Sequence, residues 1–286
     1  MTIVLHTPGS TVGGYKLVNL LGKGLGGEVW AAVNKGGTVF ALKLFSAGTS
    51  RNVAEAEYNM GSALGHPNLL TPLSFLNIDG SFAIVSPLCE GRSVDNAAGY
   101  FNEVITWKLI FSIGAALAYL HAGNLCHGDV KPSNILRKGN DFMLADFGSC
   151  FETKTGHPAG DLSSYLFAAP ESIKTGKSDI WSLGATVFNL VMGSLVFNGL
   201  GGKAQNKESE IPFMRKSLPE LSSFVARCLV FDPSSRPSAS QVVSLADENL
   251  KRLSGIQKTR PLKIAAAPSV KDAYDSFWPE TMKDAL

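Results

Sequence analysis

The chain has 286 residues, of which 45% are hydrophobic and 17% are charged. This balance is typical of a globular protein and excludes an intrinsically disordered chain. A formal net charge of +2 indicates no polyanionic partner, so we expect no binding to nucleic acid.

The cysteines and the apolar stretches indicate where such a protein works. The cysteines are scattered without the spacing of metal ligands, which predicts unpaired structural thiols in a reducing compartment: Cys89, Cys126, Cys150 and Cys228. The sequence opens without a basic-then-apolar leader, and its apolar stretches fall short of the roughly 18 residues that span a membrane. We therefore expect a soluble, cytoplasmic protein without membrane contacts.

The first third of the chain is predicted to form a sheet. Residues 1–14 end in turn-forming proline and glycine and are predicted to be a leading segment outside any element. Five β-like runs follow, at residues 15–21, 28–33, 38–45, 69–77 and 81–86. They predict an antiparallel sheet that is accompanied by one helix. The first two runs are joined by Gly22-Lys23-Gly24-Leu25-Gly26-Gly27. Backbone N–H groups in such a glycine loop can approach phosphates closely, although a plain glycine-rich hairpin is the alternative interpretation.

Lys43 lies on the third predicted strand, where a half-buried ammonium group is costly unless it is paired. The next element, residues 52–64, is rich in helix-favouring residues. It carries two candidate partners for this lysine, Glu55 and Glu57.

A long helical pattern, with apolar residues at three- and four-residue steps, runs from 104 to 122. Two polar motifs come after it, His127-Gly128-Asp129-Val130-Lys131-Pro132-Ser133-Asn134 and then Asp146-Phe147-Gly148. Short predicted strands at 135–136 and 142–144 lie between the motifs. Their hairpin would bring Asn134 and Asp146 to the same cleft.

These two motifs resemble the catalytic loop H-x-D-x-K-x-x-N and the D-F-G turn of eukaryotic-type protein kinases. Other segments match family motifs in the family's order: Gly22, Gly24, Gly27 and Val29 of G-x-G-x-x-G-x-V, Phe40-Ala41-Leu42-Lys43 of V-A-I-K, and Ala169-Pro170-Glu171 of A-P-E. The resemblance covers residues 15 to about 246.

The resemblance implies an α+β, bilobal fold. A small N-lobe with an antiparallel sheet and one helix would occupy residues 15–86, and a larger, mainly helical C-lobe would occupy residues 87–246. Residues 247–286 would form a helix end and a tail. This tail is either disordered or a docking segment through which a regulatory partner could bind.

The resemblance also implies phosphoryl transfer from ATP, with Mg²⁺, to a protein substrate. Asp129 would accept the hydrogen bond of the attacking hydroxyl, Lys131 would neutralise charge on the transferred group, and Ser164 would bridge these two residues. Asn134 and Asp146 offer the hard oxygen ligands that Mg²⁺ prefers.

In the nucleotide site implied by the resemblance, Lys43 would bind the α- and β-phosphates and pair with Glu57, nine residues before His66. Glu55 remains the alternative partner. The connecter between the lobes would bind the adenine edge, and the small Ser86 would enlarge that pocket. The implied nucleotide-binding residues are Gly22, Gly24, Gly27, Val29, Ala41, Lys43, Glu57, Ser86, Leu88 and Cys89.

The family pattern implies two scaffolding contacts further on. Asp179 would accept hydrogen bonds from backbone N–H groups of the catalytic loop, and Arg236 would pair with Glu171. Asp179 opens a helix, predicted from Lys177 to Met192, that is apolar nearly all round and should be buried.

Three glycines depart from the family pattern. Gly128 replaces the arginine that many kinases carry before the catalytic aspartate, and that arginine is the usual partner of a phosphate on the activation segment. We therefore expect a segment that is competent without phosphorylation or is controlled in another way. Gly26 replaces an aromatic residue of the phosphate loop and Gly61 replaces a bulky residue, and both changes are expected to loosen the active arrangement.

We consider three functions. A serine/threonine protein kinase is favoured because Lys131 stands two residues after Asp129, as in serine/threonine members, and Ser133 predicts no strong preference for basic substrates. The alternative is a pseudokinase that binds nucleotide or a partner without turnover, as Gly26 and Gly61 would favour. A small-molecule kinase is the third hypothesis, and the A-P-E segment with its arginine partner argues against it because they build a platform for protein substrates.

Overall fold

The computed structural model describes residues 6–24, 26–153, 157–158, 162–211, 214 and 217–259. Within these ranges, six strands form an antiparallel sheet in the order β1-β2-β3-β4-β6-β5. The strands are β1 (Thr11–Val12), β2 (Tyr15–Gly24), β3 (Gly27–Val33), β4 (Val39–Phe45), β5 (Ser74–Ile78) and β6 (Ser81–Pro87). The sheet packs around a core of Leu17, Trp30, Ala32, Leu42, Leu44, Ala83 and Val85.

The sheet has one strand more than the sequence predicted. Strand β1 lies in the predicted leading segment and pairs with the start of β2, Thr11 opposite Lys16 and Val12 opposite Tyr15. Two residues are too few to produce an alternating pattern, so periodicity could not identify this strand. The turn between β1 and β2 has two glycines at positive φ, Gly13 and Gly14, where other residues are strained.

Helix α1 (Arg51–Ser62) is the helix of the N-lobe and contacts β5 and β6. Its N-cap is Ser50, whose side chain accepts a hydrogen bond from the N–H of Val53. This cap starts the helix one residue before the predicted position.

The C-lobe is mainly helical. Its helices are α2 (Glu103–Ala122), α3 (Gly176–Met192), α4 (Pro219–Cys228) and α5 (Ala239–Thr259). Helix α5 continues past the predicted end near Leu253. Helix α2 has the length and hydropathy to cross a membrane, but more than half of its apolar window is buried in this lobe, against α3 and α5.

Helix α3 forms the centre of the C-lobe. All its residues from Ser178 to Val191 are buried, which confirms the prediction from a pattern that is apolar nearly all round. Thr175 caps its first turn through a reciprocal capping box with Ser178. The core around this helix includes Trp107, Leu109, Ile113, Leu117, Trp181, Leu183 and Phe224.

Short strand pairs and 3₁₀ helices complete the described part of the C-lobe. The strands are β7 (Leu125–Cys126), β8 (Ile135–Lys138), β9 (Asp141–Leu144), β10 (Phe151–Glu152), β11 (His157–Pro158) and β12 (Ile173–Lys174), which pair as β7 with β10, β8 with β9 and β11 with β12. The 3₁₀ helices are Val94–Ala97, Pro132–Asn134, Leu162–Phe167, Phe197–Gly199, Gly201–Ala204 and Pro233–Ser235. The architecture confirms the predicted α+β, bilobal fold.

Candidate active site

Lys43 links the two lobes. Its Nζ atom, on β4, lies 2.6 Å from Oε1 of Glu57 on α1 and 3.2 Å from Oδ1 of Asp146, which follows β9. Glu55 instead pairs with Arg51 at 2.8 Å on the outer face of α1. Of the two candidate carboxylates, Glu57 is therefore the partner of Lys43.

The charges of this cluster are interdependent. Burial alone would lower the pKa of Lys43, but the carboxylates of Asp146 and Glu57 outweigh burial and the pKa is raised. Burial dominates at Glu57 and raises its pKa, although Lys43 acts in the opposite direction. At Asp146, burial is again the largest single influence and would raise the pKa, but the combined attraction of Lys43 holds it below the usual value. Glu57 is thus the carboxylate of this cluster that is most easily protonated.

Asp146 occupies a strained backbone conformation, with φ of +68°. Such a conformation is rare for a residue other than glycine and is concentrated at functional sites. The conformation directs the carboxylate to Lys43, and its Oδ1 atom also accepts a 3.3 Å hydrogen bond from the N–H of Gly148. Phe147 turns inward, is buried, and contacts the ring of His127 edge-on at 5.9 Å between centroids.

Asp129 lies at the other side of the cleft in the loop between β7 and β8. Its Oδ2 atom is 2.8 Å from Nζ of Lys131 and accepts a 3.0 Å hydrogen bond from Nδ2 of Asn134. Its Oδ1 atom is buried and has no hydrogen-bond partner among the described residues. A buried carboxylate oxygen left in this state is costly, and a substrate hydroxyl is the kind of donor that would satisfy it.

The loop that carries Asp129 is held from below by Asp179. The two carboxylate oxygens of Asp179 accept hydrogen bonds of 2.9 Å from the N–H groups of His127 and Gly128, as the resemblance implied. Burial would raise the pKa of Asp179, but its hydrogen bonds with His121 and the loop keep it below the usual value. Nδ1 of His127 accepts from the N–H of Asp129 at 3.3 Å, so Nε2 carries the proton and donates to the carbonyl oxygen of Ala145 at 3.2 Å.

The predicted metal ligands, Asn134 and Asp146, are close because the N–H of Ala145 donates to the carbonyl oxygen of Asn134 at 2.9 Å. The side-chain Nδ2 of Asn134 donates to Asp129, so its amide oxygen is the atom that can bind a cation. No group of three or more His, Cys, Asp or Glu that could hold a metal occurs in the described residues. Mg²⁺ commonly uses only one or two protein ligands and completes its shell with phosphates and water, so this pair fits a metal that binds with nucleotide.

The glycine loop is the hairpin between β2 and β3, where Gly24 pairs with Gly27. A Cβ atom would meet nothing within 4 Å at Gly22, Gly24 or Gly26, so this face of the loop is open. Gly27 has φ of +135°, and a Cβ atom there would lie 1.9 Å from the carbonyl oxygen of Leu44, so only glycine fits. Leu25 at the tip lies outside the described residues.

A polar cluster that the sequence analysis missed braces this hairpin. Glu28 lies 2.9 Å from Nζ of Lys23 across the hairpin, and it accepts a 3.1 Å hydrogen bond from the indole of Trp30 and contacts His6 at 3.2 Å. The hydrogen bond from Lys23 is the main reason that the pKa of Glu28 is lowered. The opposite charges at either side of the turn were the sequence signal for the Lys23–Glu28 pair.

The predicted adenine pocket lies where β6 leaves the sheet. Ala41 on β4 pairs directly with Ser86, and Val29 on β3 pairs with Lys43, so these residues line adjacent positions of the sheet. Leu88 and Cys89 follow β6 and are both half-buried. The Sγ atom of Cys89 is 3.9 Å from Sδ of Met143 on β9, and burial raises the pKa of this thiol. Met143, which the sequence analysis did not select, is therefore a C-lobe contact of the connecter.

Two further predictions concern the segment after the D-F-G turn. Arg236 is fully buried and forms a two-pronged pair with Glu171, with N–O distances of 2.7 and 2.9 Å, as predicted. Ser164 falls in the 3₁₀ helix Leu162–Phe167, but its side chain lies outside the described part of the structure. Its bridging role therefore stays a prediction.

The expectation that Gly61 loosens the packing of α1 is wrong. A Cβ atom at Gly61 would lie 2.8 Å from the ring of Phe147 and 2.8 Å from Cδ of Pro72. Phe147 and Pro72 thus occupy the space that a side chain at position 61 would need. The small residue permits close contact between α1 and the D-F-G turn.

Comparison with known proteins agrees with this geometry. The protein kinase domain family model matches residues 15–246. The chain belongs to the protein kinase family. The kinase domain therefore accounts for both lobes, and residues 247–286 lie beyond the match.

This kinase domain is similar to several curated proteins. It is 28% identical over 243 residues to Cytokinesis protein sepH of Aspergillus terreus, 28% over 215 residues to the serine/threonine/tyrosine-protein kinase HT1 of Arabidopsis thaliana, and 29% over 276 residues to the serine/threonine-protein kinase Nek11 of Homo sapiens. These matches cover 80%, 68% and 84% of the chain. They span 18%, 54% and 41% of the respective relatives, so much of each relative has no counterpart in the match.

Proposed function

We propose that this protein transfers the γ-phosphoryl group of ATP to serine or threonine hydroxyls of protein substrates in a Mg²⁺-dependent reaction. The observation that carries the proposal is the state of the Asp129 carboxylate. Its Oδ1 atom lacks a hydrogen-bond partner in the described residues, while its Oδ2 atom pairs with Lys131 and accepts from Asn134. The pairing of Lys43 with Glu57 and Asp146 supports the proposal, because it places the ammonium group of Lys43 in the cleft, where nucleotide phosphates would bind.

In the proposed reaction, the substrate hydroxyl donates its hydrogen bond to Oδ1 of Asp129. Its oxygen attacks the γ-phosphorus, the bond from this phosphorus to the bridging oxygen breaks, ADP leaves, and Asp129 takes the proton. Lys131 neutralises negative charge near the transferred group. When bound, Mg²⁺ supplies charge neutralisation on the phosphates, and Asn134 and Asp146 are the residues that would hold it.

Serine or threonine is the proposed acceptor because Lys131 stands two residues after Asp129. The relatives agree in part, since Nek11 is named a serine/threonine-protein kinase and HT1 a serine/threonine/tyrosine-protein kinase. Phosphoamino-acid analysis of a mixed acceptor library decides this point, and phosphotyrosine as the main product would contradict it.

Activity without phosphorylation of the activation segment is also part of the proposal. Gly128 has φ of +79°, a backbone conformation that an arginine would adopt only under strain. Position 128 therefore does not suit the arginine that usually pairs with a phosphate on the activation segment. A cytoplasmic location is supported by the four free cysteines. A regulatory partner is proposed to bind the polar-aromatic end of the tail, Tyr274-Asp275-Ser276-Phe277-Trp278-Pro279.

The alternative of a pseudokinase retains one support. Gly26 leaves the phosphate loop without an aromatic cap, and a Cβ atom there would meet nothing within 4 Å. The other support is gone, since Gly61 is tightly packed against Phe147. Binding of ATP without transfer would favour this alternative.

Asp146→Asn tests the metal-binding role in the proposed reaction. Because an amide is a weaker ligand than a carboxylate, transfer should fall by about a hundredfold or more, while the melting temperature without nucleotide changes little. The matched control is Asp141→Asn, which removes an exposed carboxylate of β9 and should leave transfer unchanged. Equal transfer by the Asp146→Asn variant and wild type would overturn the role of Asp146.

A further inference from the structure

The backbone of Gly128, directly before Asp129, is enclosed on three sides. Its N–H donates to Oδ1 of Asp179 at 2.9 Å, and its carbonyl oxygen accepts from Nζ of Lys174 at 3.5 Å. On the remaining side, a Cβ atom would lie 2.4 Å from the carbonyl oxygen of Ser149. The residue before the catalytic aspartate is therefore fixed by neighbours and has no room for a side chain.

Two of these neighbours lie near opposite ends of the activation segment, which runs from Gly148 of the D-F-G turn to Glu171 of A-P-E. Ser149 directly follows the D-F-G turn, and Lys174 lies three residues beyond Glu171 of A-P-E. The backbone of Lys174 also pairs with that of His157, since β12 pairs with β11, and β11 lies inside this segment. One residue thus contacts the segment through its backbone and the catalytic loop through its side chain.

The space between these groups is small. A cavity of about 10 Å³ lies between the catalytic loop and the end of the segment, lined by Gly128, Asp129, Ala168, Lys174 and Ser178 among others. Such a volume accommodates one water molecule at most. The half-buried Lys174 donates to the Gly128 carbonyl oxygen, whereas an arginine side chain at position 128 could not be placed without rearrangement.

We propose that Lys174 is a positioning residue that ties the catalytic loop to the activation segment without a phosphate. In this arrangement, the ammonium group of Lys174 donates to the Gly128 carbonyl oxygen, and the backbone of Lys174 pairs with β11. An arginine and a segment phosphate would supply the same link through a charge pair. The proposal rests on the kinase function proposed above and gives it a regulatory consequence, because the link is built into the chain and needs no modifying enzyme.

The test compares Lys174→Met with wild type, using protein made where no other protein kinase can modify it. Met keeps the length of the stem but removes the charge, so Asp129 loses its positioning and kcat should fall by about tenfold, whereas KM for ATP stays within about twofold. Lys174→Arg should restore most of the activity, since it keeps a donor at this position. Lys108→Met, on the exposed face of α2, is the matched control and should behave as wild type.

Hydrogen–deuterium exchange measures the same link without turnover. In Lys174→Met, backbone amides of residues 127–130 should exchange several times faster than in wild type, while those of α3 stay protected. Unchanged exchange in this loop would overturn the proposal, as would an unchanged kcat. If wild type transfers no phosphate, the kinase function fails, and the exchange result decides the role of Lys174 separately.

Discussion

Glu55 and Glu57 are two residues apart on α1 but have different partners. Glu57 faces the cleft and pairs with Lys43, whereas Glu55 pairs with Arg51 on the outer face. Two steps along a helix turn a side chain by about 200°, so only one of the two can face the sheet. Burial gives Glu57 a raised pKa, and the nearby Asp146 has a lowered one.

These directions predict the acidic side of the pH profile. The pKa of Glu57 lies above the usual 4.5 and that of Asp146 below the usual 3.8, so Glu57 is protonated first as the pH falls. Protonation breaks the pair with Lys43, so kcat/KM for ATP should fall on an acidic limb that belongs to Glu57. Glu57→Gln should lower kcat/KM by about tenfold or more and remove this limb.

The control for this profile is Glu55→Gln, which alters an exposed pair and should keep both the rate and the limb. Measuring kcat/KM for ATP from neutral to acidic pH, within the range where the fold is stable, gives both results. An identical limb in Glu57→Gln and wild type would assign it to another group.

At the scale of elements, Gly61 determines how α1 meets the D-F-G turn. The residue has no Cβ atom, and Phe147 and Pro72 occupy the space beside it. The sequence alone showed that Gly61 departs from the family pattern, but not whether the change loosens or tightens the packing of α1. The packing depends on Pro72 and Phe147, which are separated from Gly61 along the chain, and local pattern carries no information on such contacts.

Gly61→Ala should therefore destabilise the protein, although alanine is the better helix former. A methyl group would force apart two rigid neighbours, and such overpacking costs about 1–3 kcal/mol. The matched control is Gly255→Ala in α5, where a Cβ atom meets nothing within 4 Å and stability should rise by up to about 1 kcal/mol. Thermal unfolding of both variants gives the two signs, and a higher melting temperature for Gly61→Ala would contradict the tight contact.

The limits of sequence prediction are also clear at this scale. The runs of β-favouring residues predicted β2, β3, β4 and β6 to within three residues at each end. Strand β5 begins at Ser74 and not at Leu69, because the N–H of Leu70 donates to the carbonyl oxygen of Leu144 at 2.9 Å and Pro72 has no N–H to donate. Leu69 and Leu70 are buried against β9 of the C-lobe, and sequence pattern alone does not distinguish such a segment from a strand.

At the scale of the whole molecule, the two lobes bring separated residues to one cleft. Charged residues that belong to recognisable motifs, such as Lys43, Asp129 and Asp146, could be selected from motif and spacing. Braces such as the contact of Cys89 with Met143 and the hold of Lys174 on Gly128 could not, since they join residues about 50 positions apart and follow no motif. The sequence therefore predicted the polar groups that meet in the cleft, and it missed these two contacts between distant residues.

We propose that the assembled cleft transfers phosphate and that Asp129 accepts the proton of the attacking hydroxyl. The most direct measurement is transfer of labelled γ-phosphate from ATP with Mg²⁺ by wild type and Asp129→Asn, each made where no other kinase can modify it. We predict transfer by wild type, a loss of about a hundredfold or more in the variant, and the same rise in melting temperature with ATP for both. Equal transfer by both proteins, or ATP binding by wild type without any transfer, would contradict this account.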